Sequence, residues 1–152
     1  MQVEILLDAP HFDPALAAEL ADALRAHFAA RVVHQPTNGT PHGPRVVVTL
    51  PLAELERLER PVAANLLSRP LYRSLDAHVL RAEPRPPIEF RFRFVAPERT
   101  LERRVTTNEP DVLKHAVDTL LEQLVRPEPV LAYDERTGGW GVPAGESVPG
   151  TR

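Results

Sequence analysis

The clearest pattern in the chain is an unbroken alternation of apolar and charged residues at positions 88–95, Ile-Glu-Phe-Arg-Phe-Arg-Phe-Val. A period of two is typical of a β-strand with one buried face. Three of the five Phe residues in the protein lie on the apolar side of this segment. Because burying one Phe stabilises a fold by about 1.5–3 kcal/mol, this face is predicted to form a large part of the core.

The first third of the chain predicts a strand, a helix and a second strand. Apolar residues alternate over positions 3–8, which indicates a strand that ends at Asp8. Asp13 followed by Pro14 predicts a helix start, with Asp13 as the N-cap. The helix is expected to end near residue 30, and a short strand to cover residues 31–34. The apolar stripe of the helix consists of Ala17, Leu20, Ala21, Leu24 and Phe28.

The middle of the chain predicts a loop, a buried strand and a broken helical region. Residues 36–44 are dense in turn-forming residues, and the β-branched run 45–50 predicts a strand buried on both faces. Residues 51–80 are helical in pattern but interrupted at Pro61, which is expected to end one helix or start another. Ser68 is expected to cap a further helix. Prolines at 84, 86 and 87 predict a stiff linker into the central strand.

The segment after the central strand predicts a hairpin and a helix. Residues 101–107 are expected to pair antiparallel with the central strand. Asn108 and Asp111 resemble a capping box that starts a helix over residues 109–125. This helix is expected to cover the Phe face. Its apolar stripe consists of Leu113, Ala116, Val117, Leu120, Leu121 and Leu124.

These elements predict an α+β fold with a mixed sheet of four to five strands and helices packed mainly on one face. Residues 1–127 are predicted to form a single domain. Residues 128–143 predict an appended hairpin, and residues 144–152, rich in Gly, Pro and Ser, predict a disordered tail.

Composition narrows the class of protein. The net charge of -3 gives the whole molecule no electrostatic attraction to nucleic acid or to an anionic membrane. There is no Cys, no signal-peptide pattern, and no apolar run near the ~20 residues of a membrane helix, so a cytoplasmic protein without a membrane partner is expected. The basic residues are almost all Arg, and Lys114 is the single Lys, which is typical of a GC-rich bacterial genome.

The sequence contains no recognisable catalytic motif. Five of the seven Gly residues lie between Gly138 and Gly150, so the body of the chain holds no phosphate-binding glycine loop. None of the three Ser residues lies in a nucleophile elbow, and no His pair has the zinc-protease spacing. These absences favour a non-enzymatic protein, and no cofactor is predicted.

The strongest candidate for metal or acid–base chemistry is a group of four side chains near the end of the first strand: Asp8, His11, Asp13 and His34. Two carboxylates and two imidazoles can bind a divalent metal or transfer protons. The structural alternative is that Asp8 ends a strand, Asp13 caps a helix, and the two His residues are exposed in loops.

Arg91 and Arg93 in the central strand, together with Arg104 in its partner, predict an Arg-rich sheet surface. A sheet that alternates aromatic residues with Arg is a feature of some RNA-binding folds. The structural alternative is a solvated face on which Glu89 and Glu102 pair with these Arg residues across the strands. The latter agrees better with the negative net charge.

The C-terminal segment offers a candidate interface through Tyr133 and Trp140, since Tyr and Trp are common interface anchors. The alternative is that Trp140, the single Trp, folds back and covers the core of its own domain.

The opening strand and helix, with the closing strands 90–95 and 101–107 and helix 111–125, resemble the effector-associated constant component domains of bacterial conflict systems in element order and amphipathic pattern. The resemblance implies a small α+β adaptor that acts beside a peptidase or NTPase effector. It assigns no functional residue. The sequence as a whole therefore favours a non-catalytic protein-interaction module whose partner is another protein, either an effector or a second copy of the chain. A metal-binding protein or enzyme and an RNA binder are the alternatives.

Overall fold

A computed structural model describes residues 1–8, 12–35, 44–80 and 86–143 of the chain. The strands are β1 (Gln2–Asp8), β2 (Ala29–Gln35), β3 (Arg45–Pro51), β4 (Ile88–Val95), β5 (Thr100–Thr107), β6 (Val130–Asp134) and β7 (Gly139–Gly141). The α-helices are α1 (Pro14–Arg25), α2 (Leu52–Glu56), α3 (Arg60–Ala63), α4 (Arg69–Leu75) and α5 (Pro110–Leu120). No helix in these ranges is long and apolar enough to cross a membrane.

The α+β class is confirmed, but the predicted four to five strands understate the sheet. The described residues form one seven-stranded mixed sheet in the order β2-β1-β3-β4-β5-β6-β7. The expected C-terminal hairpin forms as β6 and β7, and β6 pairs parallel to β5. A parallel pair needs a crossover connection, and α5 supplies it between β5 and β6. The hairpin therefore continues the sheet. The predicted tail at residues 144–152 lies outside the described residues.

One face of the sheet carries the core. Strand register places Ile5, Val48 and Phe92 side by side on this face, and all three are fully buried. All three Phe residues of β4 are 0% exposed, as the alternating pattern predicted. The buried residues of the helices belong to the same continuous cluster, so the helices pack on this single face.

The other face of the sheet is covered by none of the described helices. The strand β3 shows the difference between the faces, because its residues alternate between buried and half-buried along the whole strand. The prediction that residues 45–50 are buried on both faces is therefore wrong. A continuous β-branched run is compatible with either arrangement, since β-branched residues also fit a half-exposed strand.

The first helix begins as predicted and ends earlier. The side chain of Asp13 accepts a hydrogen bond of 2.9 Å from the backbone N–H of Ala15, which confirms the N-cap. The helix ends at Arg25 instead of near residue 30, because residues from Ala29 onward pair with β1. Phe28 still packs into the core from the turn between α1 and β2.

The region predicted as broken helix is a short helix followed by a nearly continuous helical rod. Pro61 lies in the first turn of α3, and π-helical turns at Ala64–Ser68 and Asp76–Leu80 flank α4. Ser68 is not a cap, because its backbone is helical (φ -61, ψ -47) and its side chain makes no capping bond. Pro70 has no N–H for the preceding turn, and a wider π turn accompanies this missing bond.

The last helix presents the predicted apolar stripe to the core, and its start differs by one residue. The N-cap is Glu109, so the capping box from Asn108 to Asp111 is wrong. The hydroxyl of Thr107 instead accepts the Glu109 N–H at 3.0 Å. A 3-10 turn, Leu121–Val125, extends the helix. Five stripe residues are buried and Leu124 is partly buried.

Candidate interaction surfaces

The outer edge of β2 is a regular strand edge to which no other described strand is bonded. Its seven residues pair with β1 without interruption, so there is no bulge. The N–H of Ala29 donates to the carbonyl of Met1 on the β1 side. In a parallel pair, alternate residues direct both backbone groups to the same neighbour. The N–H and C=O groups of Ala30, Val32 and His34 therefore point away from the sheet.

The predicted metal ligands have other roles where the structure describes them. Asp13 caps α1, and the Nε2 atom of His34 lies 2.6 Å from the carbonyl oxygen of Phe12. Asp8 is buried at the end of β1, and His11 lies outside the described residues. Within the described part of the chain, no three His, Cys, Asp or Glu side chains are grouped to hold a metal ion. The four-residue metal site stays a prediction.

The predicted Arg-rich face is present, and its charges are paired. Strand register places Arg91 of β4 directly opposite Arg104 of β5, an arrangement that is unfavourable unless the charges are neutralised. Glu89 bridges Arg45, at 3.0 Å, and Arg91. Glu102 contacts Arg104 at 2.6 Å and Arg93 at 4.0 Å.

Glu89 and Glu102 thus each lie between two arginines and partly neutralise their charge. The cross-strand pairing given above as the structural alternative is present in part. Glu102 reaches Arg93 across the strands, whereas Arg91 and Arg104 each contact the glutamate two residues earlier in their own strand. A sheet face that meets the phosphate backbone of RNA by electrostatic attraction needs an excess of cations. The pairing reduces that excess, and RNA binding through Arg91, Arg93 and Arg104 stays an untested prediction.

Trp140 folds back onto the helical layer. Its Nε1–H donates to the hydroxyl of Thr119 on α5 at 2.9 Å, and its ring meets that of Tyr133 edge-on with centroids 5.4 Å apart. The hydroxyl of Tyr133 lies 2.5 Å from Nδ1 of His115, also on α5. Burial, and then the nearby carboxylates of Glu135 and Asp134, raise the pKa of Tyr133. Both aromatic residues join the hairpin to α5; an interface role for their exposed portions stays a prediction.

Arg103 is a fully buried cation that the sequence interpretation missed. Its guanidinium donates to the carbonyl oxygens of Glu102, Gln123, Arg126 and Glu128 at 2.8–3.2 Å. Burial lowers its pKa from the ordinary value of an arginine to about 10. The signal was available in the sequence, because Arg103 occupies the apolar phase of β5 between Leu101 and Val105.

Of these features, the edge of β2 offers backbone groups to another molecule, whereas the sheet-face charges, Trp140 and Arg103 are occupied by contacts within the chain. The chain matches no protein-family model, no curated protein and no solved structure.

Proposed function

We propose that this chain is a protein-interaction module that binds an extended segment of another protein along the outer edge of β2. The observation that supports the proposal most directly is the outward direction of the backbone groups of Ala30, Val32 and His34. An added strand hydrogen-bonds to such groups, which gives affinity, while pockets for alternate side chains give specificity.

The edge of β2 lacks the features that usually prevent strand addition. Edge strands are commonly short, bulged, or marked by Lys or Pro. In contrast, β2 is seven residues long, pairs in unbroken register, and contains neither Lys nor Pro. Arg31 is the single Asp, Glu, Lys or Arg residue of β2; it lies opposite Glu4 and forms an ion pair with it at 3.7 Å. This edge is therefore suited to receive a strand.

The resemblance to effector-associated constant component domains suggests the kind of partner. On that basis the module is an adaptor in the bacterial cytoplasm, and its partner is a peptidase or NTPase effector. The experiment therefore captures the partner and tests the binding mode together.

The test substitutes Val32 with Pro. Because the Val32 N–H points outward, proline removes one hydrogen-bond donor of the edge and leaves the β1–β2 bonds intact. Proline also places its ring where the partner strand must lie. We expect that a partner captured stoichiometrically from the native host by the wild-type protein, after nuclease treatment, is lost with Val32→Pro.

The matched control is Val32→Ala, which shortens the same partly buried side chain but keeps the N–H. This variant should still capture the partner. Hydrogen exchange at Ala30, Val32 and His34 should slow in the wild-type complex. Equal capture by the Pro variant, or unchanged exchange at these three amides, would refute strand addition. A wild-type homodimer in light scattering that Val32→Pro dissociates would replace the effector with a second copy of the chain.

A further inference from the structure

A cleft lined by positive charges lies between two helices on the side of the sheet that carries the core. The helices α4 and α5 pack against each other, and the cleft between them has a volume of about 380 Å³. This falls within the range of about 300–1,000 Å³ typical of small-molecule sites. The residues that line it are Ala64, Ser68, Arg69, Tyr72, Arg73, Lys114 and Asp118.

The cations of the cleft exceed its anions by two. Lys114 forms an ion pair with Asp118 at 2.9 Å. The guanidinium of Arg69 donates to the side-chain oxygen of Asn65 at 2.6 Å, which is a neutral partner. Arg73 forms no ion pair with any residue in the described ranges. Two positive charges of α4 are therefore not neutralised by contacts that the structure describes.

The position of these charges opposes helix stability. Arg69 and Arg73 are four residues apart, so they lie on the same face of α4 with like charges adjacent. Lys114, from the facing helix, adds a third cation to the same cleft. Two further carboxylates are near in sequence, but neither lines the cleft. Asp76 follows α4 and is buried, and Asp111 lies in the first turn of α5. Such an arrangement is stabilised when an anion occupies the cleft.

We propose that this cleft binds the phosphate group of a small phosphate monoester. A monoester carries a charge of about -1.5 to -2 at neutral pH, which matches the excess of two positive charges. Arg provides planar, bidentate donors to phosphate oxygens, and Lys provides a point charge. The hydroxyl group of Ser68 lines the same cleft and adds an uncharged hydrogen-bonding group. The volume beyond that of the phosphate accommodates the rest of a small molecule.

This site is separate from the proposed protein-binding function. It lies on the helical layer, whereas the β2 edge lies at the margin of the sheet, so the variants that test each do not overlap.

A small ligand agrees better with the charge of the whole chain than a nucleic acid does. The net charge of -3 and the carboxylates of Asp111 and Asp118 repel an extended polyanion.

The experiment is an amide NMR titration of the full chain with inorganic phosphate and with methyl phosphate, at constant ionic strength and near pH 8. We expect saturable shifts confined to α4 and α5, and acetate binding at least about tenfold more weakly because it carries a single charge. Arg73→Ala should weaken phosphate binding at least about tenfold. Lys114→Ala, on the facing helix, should weaken it in the same direction.

The matched control is Arg25→Ala, which removes an exposed Arg of α1 that is paired with Asp22. It should bind phosphate like the wild-type protein. Equal titrations for wild-type protein and Arg73→Ala, or acetate binding as tightly as phosphate, would overturn the proposal. Tighter binding of single-stranded RNA than of methyl phosphate, with the same shifts, would overturn the assignment to a small ligand. Partner capture through β2 is expected to be unchanged in both cleft variants.

Discussion

The buried guanidinium of Arg103 makes a quantitative prediction about stability. Its side chain is 0% exposed and reaches from β5 to four backbone carbonyls. Three of these carbonyls, those of Gln123, Arg126 and Glu128, belong to the segment that leads from α5 into β6. The perturbation is Arg103→Met, which keeps an unbranched apolar stem and removes the charge and all of its donors.

Two effects of opposite sign determine how much Arg103→Met changes the free energy of unfolding. Each hydrogen bond from a charged donor contributes about 1.5–3 kcal/mol, so the loss of four of them at the lower end removes about 6 kcal/mol. Burial disfavours the charged form of Arg103 and lowers its pKa from the ordinary value of an arginine to about 10. At 1.36 kcal/mol per pKa unit, relief of that cost returns about 3 kcal/mol. The net expectation is a loss of about 3 kcal/mol in the free energy of unfolding.

The assay is urea denaturation of the wild-type protein and of Arg103→Met, with unfolding monitored by Trp140 fluorescence and by circular dichroism. The control is Arg93→Met, which changes the same side chain at a half-exposed position 4.0 Å from Glu102 and should cost less than about 1 kcal/mol. If the free energy of unfolding of Arg103→Met lies within about 1 kcal/mol of the wild-type value, the predicted loss is refuted. The desolvation cost of the buried charge would then be as large as the free energy of its hydrogen bonds to the carbonyls.

Three further predictions concern the core, the hairpin and a helix start. Phe92→Ala should lower the free energy of unfolding by about 3–5 kcal/mol in denaturant titrations, because the side chain is fully buried; a cost below about 1 kcal/mol would contradict its central place. Because the pKa of Tyr133 is raised in the folded state, its stabilising contribution is present below the unfolded pKa near 10 and is lost as pH rises through the folded value. Stability should therefore fall more steeply with alkaline pH in wild type than in Tyr133→Phe, and parallel curves would exclude this linkage. Asp13→Ala should cost about 1 kcal/mol through loss of the α1 cap, whereas Asp13→Ser should restore most of it.

The candidate site could be predicted only in part. The sequence identified Arg91, Arg93 and Arg104 as one surface because alternation fixes which residues share a strand face. It could not show that Glu89 and Glu102 each contact two arginines, since that depends on the register between strands. The β2 edge and the cleft between α4 and α5 were not predicted, because strand order and helix neighbours are properties of the assembled fold.

Local patterns determined most elements of this protein. The alternation in β4, the stripe of α5 and the Asp13–Pro14 start of α1 each follow from residues close in sequence, where side-chain period and capping chemistry act. Where a local pattern was ambiguous, tertiary pairing decided the outcome. Residues from Ala29 onward join β1 as a strand, and Ser68 lies inside a helical rod although it resembles a cap.

The tertiary structure alone decided the extent of the sheet and the position of its edges. The segment after α5 resembles an independent hairpin in sequence, yet β6 pairs with β5 because the crossover through α5 returns the chain beside that strand. Arg103 shows the same dependence, since three of its four acceptors are backbone carbonyls 20–25 residues away that the fold brings to one point. Backbone carbonyls are present at every residue, so no sequence pattern marks which of them a buried guanidinium will bind.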